Sequence, residues 1–163
     1  MVEDEFPIGC SLRRVLIVEN QEFGGDELCL DQLLLFFDGK VIQLEPLADT
    51  DEIAIIPVNE HDTVEWPLFL EKTPLRYNQP LGSATTQKLS TSLSKAYTPI
   101  WCSSFIDKKL QTVWVCKNAQ GYFDKIDFAF ERLHPSISLI AEGSVLKVLR
   151  YEQIHKLKAS PTA

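Results

Sequence analysis

Apolar residues in this chain recur mostly at a spacing of two, and they gather toward its two ends. "LRRVLIVE" (12–19) is a β-branched run that stops at Asn20. "LLLFF" and "KVIQLEPL" are two apolar runs joined by Asp38-Gly39, a dipeptide that favours a tight hairpin because both turn positions want positive φ. "EIAII" is a further run, after the polar corner Asp49-Thr50-Asp51-Glu52. In the last third, "LQTVWVCKN" ends at Asn118. "FDKIDFAFE" alternates Ile126, Phe128 and Phe130 with Lys125, Asp127 and Ala129, the pattern of a strand with one face in a core. "SISLIAE" and "VLKVLR" follow. The periodicity predicts strands.

The two ends match one another. "VLIVENQ" sits over "VWVCKNAQ", "LDQLLLFF" over "FDKIDFAF", "VIQLEPLA" over "SISLIAEG" and "EIAII" over "VLKVL". Asp31 then corresponds to Asp124, Phe37 to Phe130, Leu44 to Leu139 and Ile53 to Leu146. Each unit, about 12–57 and about 109–150, reads as strand, loop, strand, turn, strand, corner, strand. The expected fold is mainly β, in one domain over 1–163. Two related antiparallel four-stranded meanders form a sandwich or a pseudo-twofold sheet pair. The pattern leaves open whether the units share one sheet.

Register follows from the match. With Ile126, Phe128 and Phe130 facing the core, Leu33, Leu35 and Phe37 face it too. The outward positions then differ: Asp127 and Ala129 in the second unit, Leu34 and Phe36 in the first. The first sheet is apolar on both faces, so the middle segment or another subunit has to cover it. That segment, about 58–108, is too long for a bare linker and carries Trp66, Phe69, Tyr77, Tyr97 and Trp101. Prolines 67, 74, 80 and 99 cut it into short pieces. Over 83–97 it has room for one short helix, with Ser83 as cap and Leu89 and Leu93 four apart. That would make the fold α+β.

Composition adds limits. The chain has 163 residues, 45% hydrophobic and 24% charged, as in ordinary globular proteins. The net charge of −7 is uneven: residues 1–57 hold 13 acids and 3 bases, residues 109–163 hold 5 and 8. An acidic first third argues against nucleic acid, which calls for a basic stripe. "MVEDEFPIG" has no apolar h-region, and "CLDQLLLFF" is too short to cross a bilayer. The expectation is a cytoplasmic chain that binds neither nucleic acid nor membrane. Cys10, Cys29, Cys102 and Cys116 form no CxxC pair and read as reduced structural thiols.

Glu45, Asp49, Asp51 and Glu52 are the main candidate binding residues, with the apolar pair Leu34 and Phe36 beside them. Clustered carboxylates can hold Mg²⁺ or Ca²⁺, or supply an acid and a base. They also make ordinary polar turns, since Asp and Thr bond their own backbone. The second unit places "EGSV" at the same corner, so the architecture needs only a turn there. His61 and Asp62 are neighbours, but no GxSxG or HExxH accompanies them. "FGGDEL" lacks the lysine of a P-loop. No catalytic residue, metal ligand or cofactor is assigned.

"VWVCKNAQGYFDKIDFAFERLHPSISLIAEGSVLKV" resembles a group of small bacterial β-rich proteins of uncharacterised function, through its Trp strand, its Asn-x-Gln-Gly-Tyr-x-Asp turn and its closing strand. "LEPLADTDEI" resembles a pattern of the same group, and the likeness covers about half of the chain. It implies no activity and no site residues.

The expected function is a non-enzymatic binding or regulatory module: an inhibitor, an immunity-type protein or an adaptor. Its acidic surface would meet a basic protein partner, with self-association as a rival use of the charge halves. One alternative is a metal-dependent hydrolase using Asp49, Asp51 and Glu52 with His61 or Asp62. The other is a structural subunit of a larger assembly, docked through Leu34 and Phe36.

Overall fold

The computed structural model describes residues 5–20, 28–58, 75, 77, 96–131 and 136–150. They form eight antiparallel strands in one curled sheet, a half-barrel, with no α-helix among the described residues. The strands are β1 (Leu12–Glu19), β2 (Leu28–Phe37), β3 (Lys40–Leu47), β4 (Glu52–Val58), β5 (Leu110–Lys117), β6 (Phe123–Phe130), β7 (Ile137–Glu142) and β8 (Val145–Arg150). One 3₁₀ turn spans Ile100–Ser104.

Strands β1 to β4 are one meander and β5 to β8 a second. Their registers agree. Leu12 faces Phe37 and, after a one-residue shift, Arg14 faces Phe36; Leu110 faces Phe130 and Thr112 faces Ala129. A second shift falls between Val18 and Glu19, and between Cys116 and Lys117. Such irregularities bend a strand and raise its local twist, so both meanders curl at corresponding points.

β2 joins the two units. One of its edges is held by β1; its other edge pairs with β3 along Leu33–Phe37 and with β8 along Leu28–Leu30. The starts of β1 and β5 cross as well. Leu12 donates its N–H to Lys108 O (3.0 Å) and accepts from Asp107 N–H (2.7 Å). Leu110 does the same with Cys10 (2.9 Å) and Gly9 (2.8 Å). The crossing centres on the Ser11–Lys109 bridge.

The core lies inside the curl and draws on both units. Leu33, Leu35 and Phe37 enter it, as do Ile126, Phe128 and Phe130. Phe6 meets Phe128 edge-on, 5.3 Å between centroids, and Phe105 lies 5.5 Å from Phe130. Burying each large apolar side chain contributes about 1.5–3 kcal/mol.

The hairpin at Asp38-Gly39 forms, with Phe37 opposite Lys40. Only Gly39 takes positive φ (76°), so one left-handed residue closes the turn rather than two. Residues 83–95 of the expected helix lie outside the described residues. At its end, Tyr97 is extended, not helical: it exchanges backbone hydrogen bonds with Ile17, donating at 3.1 Å and accepting at 2.9 Å.

Candidate interaction surface

The polar corner is a four-residue connection between Leu47 and Glu52, which face each other across β3 and β4. The equivalent corner between Glu142 and Val145 needs only Gly143 and Ser144. Thr50 N–H bonds Leu47 O at 3.3 Å, and Asp51 takes a left-handed φ of 54°. Asp51 Oδ1 then accepts from Gly143 N–H at 2.7 Å. Gly143 is itself left-handed, with φ of 62°. The two corners therefore meet, and Asp51 is the residue that fastens them. One of the four carboxylates has a structural task.

Glu45 has another. Its Oε2 accepts from Gln43 Nε2 (3.1 Å) on its own strand and from Gln32 Nε2 (3.3 Å) on β2, which fixes it across two strands. Asp49 is exposed and Glu52 half-buried. Among the described residues, no three of His, Cys, Asp and Glu converge as an ion would require. His61 and Asp62 lie outside the described residues.

The outer face of β3 and β4 carries something the sequence reading did not single out. Leu47 and Ile56 are 44% and 37% exposed, among the most open large apolar side chains described. On this face Leu47 is paired with Glu52, Ala54 with Glu45 and Ile56 with Gln43. An apolar stripe thus runs between Glu45 and Glu52, with Asp49 just beyond. The signal was present in "EIAII": a strand with Ile53 inward at 5% exposure still has Ile56 to place outward.

Leu34 and Phe36 are elsewhere than expected of docking residues. They are 2% and 5% exposed and form a second cluster with Leu16, Val18 and Ala96, with Val41 at its margin. Ala96 belongs to the middle segment, so that segment takes part in covering this face. Arg14, opposite Phe36, is buried on the same side. Burial lowers its guanidinium pKa, and the Tyr77 charge works against that.

One gap in the described interior is too small to be a ligand chamber. That cavity, between Val15, Leu35, Trp101, Cys102, Phe128 and Phe130, holds about 20 Å³ and is wholly apolar, scarcely the volume of one water. Cys102 lies against it, and burial pushes its thiol pKa well up, which removes the thiolate a nucleophile needs.

A family model described as "Family of unknown function (DUF6334)" matches residues 1–155. No curated protein and no solved structure matches the chain.

Proposed function

We propose that this chain, which belongs to the DUF6334 family of unknown function, is a non-enzymatic binding module whose outer β3–β4 face meets a basic protein partner. The observation that carries this reading is the exposed pair Leu47 and Ile56 on a face that also bears Glu45 and Glu52. Apolar side chains supply the area that a partner buries, and a charged rim steers its approach and sets orientation. An excess of ten acids over residues 1–57 gives the surrounding field the same sign. None of the four cysteines is joined in a disulfide, which is compatible with the reducing cytoplasm we assign to it. We also read the matching registers of the two meanders as the trace of an internal duplication.

The test is capture of partners from lysate of the source organism with three proteins: wild type, Asp49→Lys/Glu52→Lys, and Ile56→Glu. Asp51 and Glu45 are left intact because each has a structural bond. With all three melting alike, one dominant partner should be retained by wild type and weakened at least about tenfold by either variant. Its affinity should also fall as salt rises. A partner held equally by all three proteins, or none at all, would overturn the reading.

A further inference from the structure

The two meanders differ in what lies on the outer edge of their first strand. In β1, Ile17 faces Leu33 on one side and turns its own N–H and C=O the other way, to Tyr97. Tyr97 also donates its hydroxyl proton to Glu19 Oε2 at 2.6 Å. An extended piece of chain is thereby laid along β1, held by the backbone at Ile17 and by a side chain at Glu19.

β5 offers the same edge. Val115 faces Ile126 as Ile17 faces Leu33, and Leu110 turns its N–H and C=O outward as Leu12 does. Past the register shift between Leu110 and Thr112 the strand alternates, and Phe128, opposite Val113, turns its C=O the other way to Ser136, so Val113 and Val115 direct their backbone groups away from β6. Beyond Leu110, no strand or bridge occupies that edge among the described residues. Trp114 stands 37% exposed on the strand and Tyr122 39% exposed on the loop that follows. The position of Glu19 is taken by Lys117, exposed, with its ammonium 5.0 Å above the Phe123 ring. Lys109, also exposed, marks the strand's other end.

We infer that the outer edge of β5 is a strand-addition site for an extended, acidic segment of a partner protein. Main-chain hydrogen bonds to Val113 and Val115 supply the pairing, as in other edge-strand recognition. Trp114 supplies apolar contact. Lys117 selects a carboxylate where Glu19, in the other unit, selects a hydroxyl donor. Lys109 favours the same sign at the far end. The site is separate from the acidic β3–β4 face and does not depend on it.

The experiment pans a phage-displayed library of random dodecapeptides on the full chain, then measures the winning peptide as a synthetic probe. Selected sequences should join a β-branched or aromatic run to Asp or Glu. Binding should protect the Val113 and Val115 amides from hydrogen exchange. Val115→Pro removes one outward N–H without touching the β5–β6 ladder and should weaken the probe at least tenfold. Lys117→Glu, at an exposed position, should weaken it similarly and serves if the proline variant folds poorly. Asp49→Lys/Glu52→Lys should leave it unchanged. Peptides without acidic residues, unprotected Val113 and Val115 amides, or no enrichment at all would overturn the inference. So would self-association of the wild type that Val115→Pro abolishes, because the occupant would then be a second copy.

Discussion

Asp51 shows how a residue that looks chemical in sequence can be architectural. Its left-handed backbone suits Asp better than most residues, and its carboxylate reaches Gly143 across the meeting of the two corners. Asp51→Ala loses the bond and keeps the backbone cost, so it should destabilise by about 1–2 kcal/mol. Asp51→Asn keeps an acceptor and tolerates the same φ, so it should lose much less. Urea unfolding compares them; an alanine variant as stable as wild type would mean the bond does nothing in solution. Asp38 poses a pH question. Arg13 donates from Nε (2.9 Å) and Nη2 (3.1 Å) to its carboxylate and from Nη1 (2.8 Å) to Asp107. The Arg13 hydrogen bond, with its charge, holds the Asp38 carboxyl below the usual Asp range. A depressed carboxyl stabilises the fold above its unfolded pKa and loses that contribution as pH falls through the folded one. Arg13→Gln should therefore melt below wild type at neutral pH. The two melting curves should converge as pH falls below the ordinary Asp value near 3.9. Curves that stay parallel to the acid end would show that this ion pair adds no pH-linked stability.

At the scale of the element, β2 is the unusual strand. Five consecutive residues, Leu33 to Phe37, are buried, three toward the shared core and two toward the second cluster. A strand solvated on one face alternates; one covered on both need not. Leu34→Ala should cost about 2–4 kcal/mol, the range for emptying a buried leucine site. Sedimentation should show no change of oligomeric state with it, since the side chain is enclosed within the chain. A variant that keeps full stability but alters assembly would instead put Leu34 at an interface between subunits.

Across the whole molecule, near-symmetry is broken at two places, and both bear on function. β8 makes a ladder with β2, whereas β4, its counterpart, runs beside β6 with no ladder among the described residues. β4 consequently ends the sheet, with the acidic corner at one end of it and Ile56 on its outer face. β1 carries Tyr97 along its edge and β5 carries nothing comparable among the described residues. Charge follows the same division, thirteen acids against three bases over 1–57 and five against eight over 109–163. The two units thus differ in the sign of their charge, in keeping with the opposite chemistry of the two proposed partners.

Much of this was local and therefore legible in sequence. Alternation at Ile126, Phe128 and Phe130, the Asp-Gly turn and the matching order of runs specify strands, a hairpin and two similar meanders, because period and turn chemistry act over a few residues. Which strand edges meet is not local. That β2 carries β8 beyond β3, that β1 and β5 cross at Ser11 and Lys109, and that Asp51 reaches Gly143 all depend on how two irregular, strongly twisted strands curl the sheet. The same holds for Leu34 and Phe36. The pattern required a cover for them, and tertiary contact placed Ala96 of the same chain there. Sequence determined which residues want burial. Packing in three dimensions decided what buries them, and so which apolar groups were left facing solvent.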